Sequence, residues 1–361
     1  MPFQLLLVGM LSLFVSLGAF PLKTYGQASS SNYGVYDLNS VDSPFSQIAL
    51  DAPYIVGLSP RVGWGTVEPS EGQYDWSFLD GVFQTAIQHN KRVYLRVHPG
   101  VFTPDWVYQA GAKKVTGSSL GLIKGAFNTF PVPWDSVFLT KWKALVVALG
   151  NRYNSNPALY IVGVAGPTYE SIEFYLPSTE TAWQKFGYTP NNLFNAWKQC
   201  IDAYAQAFPS KNIALNIETA ILGNQQLPQQ IVNYGLNTYK SRVFVQGDWL
   251  SSDTTENVLD AMFGLTPQTT VGFQMVGTSV VMGSLSTAIN NGLEGGASYL
   301  EIYEYDINNL SNSALLQSAT TQLQIPPDQR DANSLAGASL SQEVNRYKDP
   351  EGKTTPGQLV Q

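Results

Sequence analysis

The chain has 361 residues, with 20 Lys and Arg against 27 Asp and Glu, a net charge of −7, 44% hydrophobic residues and 13% charged ones. So apolar a chain is not a disordered one, and it lacks the surplus cations that displace counterions from nucleic-acid phosphates. Its 8 Trp and 19 Tyr suit hydroxyl-rich ligands instead, because an aromatic ring offers a flat apolar face with a polar handle.

The chain begins with an apolar, uncharged run, Leu5–Phe20, shorter than the ~20 residues a membrane-spanning helix needs. Small residues Gly26 and Ala28 stand at the −3 and −1 positions of a cut after Ala28, so residues 1–28 read as an export signal. The leading MPFQ carries no Lys or Arg, which leaves an uncleaved anchor as the alternative. A secreted or periplasmic protein, free of the membrane after cleavage, is expected.

From Tyr33 onward strands alternate with helices. The strands expected are Tyr33–Leu38, Ile55–Trp64, Arg92–Pro99, Leu159–Ala165, Asn212–Glu218, Arg242–Asp248, Thr270–Val276 and Ser298–Tyr305. Apolar residues at helical spacing fall between them, as in Phe78–Asn90, Asp135–Tyr153, Leu193–Phe208, Pro228–Lys240, Asn257–Phe263, Leu285–Gly292 and Ser313–Leu323. Eight βα units imply right-handed crossovers and a parallel sheet, which closes into a single (β/α)8 TIM barrel over residues 29–330. A doubly wound open sheet would want a glycine-rich phosphate turn after its first strand, and none is present. Residues 331–361 turn polar and read as a loosely attached tail.

Cysteine and histidine offer little chemistry. Cys200 is the sole cysteine, and Leu193, Trp197, Ile201, Tyr204 and Phe208 place it on the buried stripe of a helix. His89 and His98 show no ligand spacing, so neither metal nor cofactor is expected.

Strand parity is more informative. If the alternate apolar residues face the helices, the others face the lumen. That sends inward Arg61; Tyr94, Arg96 and His98; Asn216 and Glu218; Gln246 and Asp248; Gln274; and Tyr299, Glu301 and Tyr303. Polar residues near the C-terminal ends of six strands are costly to bury unless paired or used, and that face is where barrel enzymes keep their chemistry. The plainer reading is a self-satisfied network plugging the barrel.

Two stretches carry a resemblance. Arg61–Trp76 reads RVGWGTVEPSEGQYDW, and the following helix and strand lead to TPDWV. This is similar to the second and third βα units of β-galactosidase-like and related barrel glycoside hydrolases, in which the Glu at position 68 is a structural residue. Beyond the fourth strand, Gly166, Pro167 and Glu170 resemble the Gly-Pro-x-x-Glu segment of β-amylases. The resemblance implies that Glu170 is the general acid, with Glu173 three residues on as a decoy. It also implies a second carboxylate on strand seven, where this chain has only Gln274. Glu301 on strand eight is the substitute expected, with Glu304, Asp306, Glu218 and Asp248 in reserve, or with a strand unrecognised.

These residues imply an exported glycoside hydrolase acting on a carbohydrate, neutral or mildly anionic. Arg61, Arg96, His98, Asn216, Gln246, Asp248, Gln274 and Tyr303 would line its site. Trp64, Trp106, Trp134 and Trp249 lie at or beyond strand ends, as stacking platforms or as packing under loops. Glu170 and Glu301 would stand four strands apart, a wide separation that favours inversion. A catalytically inactive carbohydrate-binding barrel is the alternative, motivated by Gln274.

Overall fold

The computed structural model describes residues 32–121 and 129–330; the expected export signal and C-terminal tail lie outside them. Eight parallel strands make the barrel: β1 (Gly34–Leu38), β2 (Ile55–Ser59), β3 (Arg92–His98), β4 (Leu159–Gly163), β5 (Asn212–Asn216), β6 (Val243–Leu250), β7 (Val271–Met275) and β8 (Ala297–Tyr303). Each pairs with its sequence neighbours, and β1 pairs with β8 to close the ring. The ring of helices includes α1 (Ser77–Gln88), α2 (Ser136–Tyr153), α3 (Pro190–Ala207), α4 (Gln226–Tyr239), α5 (Glu256–Phe263), α6 (Leu285–Glu294) and α7 (Ser313–Leu323). No helix among the described residues is long and apolar enough to cross a membrane.

Local chemistry starts the helices that matter most. Asp135 caps α2 by accepting from the backbone N–H groups of Val137 and Phe138, both at 3.0 Å. Thr189 caps α3 by accepting from Asn192, with Pro190 in the first turn where a missing N–H costs nothing. Both helices lay an apolar stripe on the barrel. Trp142 of α2 and Trp197 of α3 are wholly buried, each contributing roughly 1.5–3 kcal/mol. Cys200 is buried on the same stripe, and burial pushes its thiol up to about 12, so it is inert packing.

The second strand departs from expectation. It pauses at Pro60, which has no N–H to donate, and resumes as Arg61–Gly63 paired with Arg96, Val97 and His98. A short helix, Trp64–Val67, follows at once. Trp64 is therefore turned inward rather than left at a strand end.

The barrel's interior is filled from below by three tyrosines. Tyr36 and Tyr94 both meet Tyr299 edge-on, at 5.8 and 5.9 Å between ring centroids. Gly57 and Gly272 make the room. A Cβ there would come within 2.2 Å of the Tyr36 ring and 2.0 Å of the Tyr299 ring. The lumen is thus a packed floor with a polar layer above it.

Candidate active site

Above the tyrosines lies a hydrogen-bonded layer. Arg96 of β3 donates to Glu301 of β8 at 2.5 Å and to Gln274 of β7 at 2.6 Å. Ser59 of β2 also donates to Glu301. On β6, Gln246 has its amide orientation fixed by Tyr299, whose hydroxyl donates to its Oε1 at 2.9 Å. Its Nε2 therefore faces two carboxylates, donating to Glu301 Oε2 at 2.8 Å and to Asp248 Oδ1 at 2.6 Å.

This layer places Glu301 away from the open mouth. Its side chain is 0% exposed and both oxygens are taken. Gln274 is its register partner on β7, so the charge expected on strand seven stands one strand over at the same level. There Arg96 holds it. Glu304 and Asp306 lie past the strand in a short helix (Glu304–Asn308) and accept from the backbone N–H groups of Ser46 and Ser279.

The mouth is lined by other acids. Glu170 and Glu173 sit in the turn after β4, pinned by the Thr168 hydroxyl, which donates to the backbone carbonyls of both. Ser171 between them has φ +54°, a left-handed conformation that stores strain in order to present both side chains. Gly166 starts the turn: a Cβ there would meet Cys200 Sγ at 2.5 Å. Glu218 follows the end of β5, and Asp248 lies on β6.

Their electrostatics are mutually dependent. Burial, and then the neighbouring Asp248, push Glu218 up to about 8. Burial raises Glu173 well above the usual carboxylate range, with Asp248, Glu170 and Glu218 adding to it. Asp248 is raised by burial, against an opposing pull from Arg96. Glu170 is raised by burial and lowered by Arg61. Several acids are thus held near neutral form in a carboxylate-rich cleft, an arrangement characteristic of active sites.

Three buried polar groups point to a ligand. Asp248 is 5% exposed and its Oδ2 has no partner among the described residues. Asn216, two residues below Glu218 on β5, is 0% exposed, its Nδ2 facing the Asp248 carboxylate and its Oδ1 without a partner among the described residues. His98 is 2% exposed, both ring nitrogens unpartnered, and is kept neutral by burial with Arg61 and Arg96 nearby. Buried groups so rarely lack partners that this cluster reads as a place where a polar molecule completes the bonding. Arg61 stands at the rim, donating to the Asn39 carbonyl at 2.6 Å with its guanidinium 5.6 Å over the Tyr303 ring.

The tryptophans divide. Trp64 is not a platform: it is 0% exposed, packed against Trp106, Phe138 and Trp142, and donates to Glu68 at 2.8 Å. The early helix at Trp64–Val67 drives it into the core. Trp106, Trp134 and Trp249 are half-buried, and each donates its N–H to a backbone carbonyl. Glu68 is structural here, also accepting from the Gly72 N–H at 2.8 Å. Ser59 escaped the sequence reading although it shares inward parity with Arg61; serine alternation is a weak signal beside charge.

The family model described as β-galactosidase (Glyco_hydro_42) matches residues 57–214, which run from β2 through β5. No curated protein sequence matches the chain. Among solved structures, the catalytic domain of the β-amylase from Paenibacillus polymyxa superposes with TM-score 0.55 at 12% identity, over 84% of this chain and 100% of that one. The β-galactosidase from Rahnella sp. R3 superposes with TM-score 0.50 at 12% identity, over 81% of this chain and 56% of that one. Fold and family match together give a TIM barrel whose central segment is similar to a family of glycoside hydrolases. That segment, from β2 to β5, resembles the β-galactosidases of the matched family.

Proposed function

We propose that this protein hydrolyses O-glycosidic bonds with Glu173 as proton donor and Asp248 as the ionised partner. Such cleavage needs one carboxylic acid to protonate the leaving oxygen and one carboxylate to attack the sugar or activate water. Glu173 is the acid because burial and three neighbouring carboxylates favour its protonated form. Asp248 is the partner because Gln246 fixes one oxygen and leaves the other free in the mouth. That free, buried Oδ2 is the observation that carries the assignment. Glu301, ion-paired with Arg96 and closed off, orients Gln246 and through it Asp248. With Asp248 as partner the pair stands two strands apart rather than four, which removes the argument for inversion.

Glu170 is the alternative donor, as the Glu of the Gly-Pro-x-x-Glu segment and also raised by burial. An aryl β-galactoside is the first substrate to try, given the family matched. On a galactoside whose poor leaving group needs a proton, turnover by wild type, lost in Glu173→Gln and kept in Glu170→Gln, supports Glu173; the reverse pattern transfers the role to Glu170.

Export remains part of the proposal, resting on Leu5–Phe20 and the Gly26-x-Ala28 pattern. N-terminal sequencing of the protein recovered outside expressing cells should begin at Ser29. A start at Met1 contradicts cleavage.

A further inference from the structure

We propose that Glu218 is an amine-binding residue, and that the glycan taken at this mouth carries a free amino group. The proposal rests on the reading of the mouth as a glycan site and names its substrate class. A two-carboxylate reaction uses Glu173 and Asp248 and leaves Glu218 without a task. It stands between them in the ring, past the end of β5, with β4's loop on one side and β6 on the other. Its carboxyl group makes no hydrogen bond or ion pair among the described residues. The two arginines that the barrel sends inward are committed elsewhere: Arg96 to Glu301 and Gln274, and Arg61 to the Asn39 carbonyl and the Tyr303 face.

The second observation is Asn216, on the same strand and the same lumen-facing parity. It is wholly buried, its Nδ2 facing the Asp248 carboxylate and its Oδ1 free to accept. A sugar ammonium satisfies both acceptors, donating to Glu218 and to Asn216 Oδ1. An acid that burial and a neighbouring carboxylate keep protonated is one that a cationic ligand can ionise by pairing with it. A metal ion fits less well, because no three His, Cys, Asp or Glu among the described residues stand close enough together to hold one. A uronate or sulfated sugar would bring a further negative charge to Glu173, Glu218 and Asp248.

Calorimetry on the intact protein tests this, with glucosamine and galactosamine oligomers as probes beside their N-acetylated and neutral hexose counterparts of equal length. The amine forms should bind tighter by on the order of tenfold, the worth of one hydrogen bond to a charged group. Repeating the titration at pH 6.5 in buffers of different ionisation enthalpy should show release of about one proton per site, because binding ionises Glu218. Glu218→Gln should abolish both the preference and the proton release, while thermal unfolding reports whether the variant is folded. Equal affinity for amine and neutral forms, or a preference that survives in Glu218→Gln, overturns the proposal. Turnover of neutral glycans without amine preference defeats this inference and leaves the hydrolase reading intact. Tight amine binding without turnover of any glycan does the opposite.

Discussion

Arg96 and Glu301 form an ion pair between β3 and β8 at 2.5 Å, with neither side chain exposed to solvent. The pair lies at the level of Gln274 and next to Gln246, so it supports the mouth from beneath. Breaking such a pair from one side leaves a bare charge in the interior. Glu301→Gln should therefore cost roughly 3–5 kcal/mol, read as a drop in the urea midpoint. The double change Arg96→Met with Glu301→Leu should cost clearly less than the two single changes added together. Strict additivity would show that the two residues do not depend on one another.

Asp37 of β1 predicts a pH dependence of stability. It is wholly buried, neither carboxyl oxygen finds a partner among the described residues, and burial followed by Glu304 pushes it up to about 8. Its folded value lies above its unfolded one, so the folded state holds this proton more tightly. The contribution is fully present below about pH 4 and is lost as pH rises through about 8, at ~1.4 kcal/mol per unit across that window. In Asp37→Asn the slope of unfolding free energy against pH should flatten between those limits. An unchanged slope would show that Asp37 does not titrate in this way.

The activity should share this displacement. Because burial raises Asp248, and burial with three acids raises Glu173, the acid limb of kcat/KM should lie above the ordinary carboxylate range, with an optimum near or above neutrality. Glu173→Gln should remove the basic limb, since that limb reports loss of the donor's proton. An optimum near pH 4 to 5, where unperturbed carboxyls titrate, would contradict the electrostatic account.

Glu68 should matter for stability and not for chemistry. Its carboxylate accepts from Trp64 and Gly72, and its carbonyl accepts from Trp106, tying the loop after β2 to the Trp64–Trp142 packing. Glu68→Ala should cost ~1–3 kcal/mol by leaving a buried indole N–H unpaired, with kcat of the folded variant unchanged. A hundredfold fall in kcat without loss of stability would make Glu68 catalytic instead.

Much of this was legible in the sequence, for physical reasons. A barrel strand must send apolar residues to the helices, so Val93, Leu95 and Val97 gave away Tyr94, Arg96 and His98 as inward, and the same logic placed Gln246, Gln274 and Glu301. Depth within the lumen was not legible. Parity says which way Glu301 points, and only the register with Gln274 and Tyr36 shows that it lies beneath the mouth. Trp64 was misplaced because Pro60 interrupts the strand and a helix begins at once, a backbone event that alternation cannot reveal. The left-handed Ser171, which presents Glu173 beside Glu170, has no residue signature, since serine is an ordinary choice elsewhere.

The most direct test of the central claim compares two aryl glycosides, one with a good leaving group and one with a poor one, in wild type, Glu173→Gln and Asp248→Asn. A good leaving group needs no proton, so Glu173→Gln should retain most of its rate there and lose at least ~100-fold on the poor one. Asp248→Asn should lose both. Wild-type rates on both substrates in both variants would contradict the account and return the search to Glu170 and Glu301.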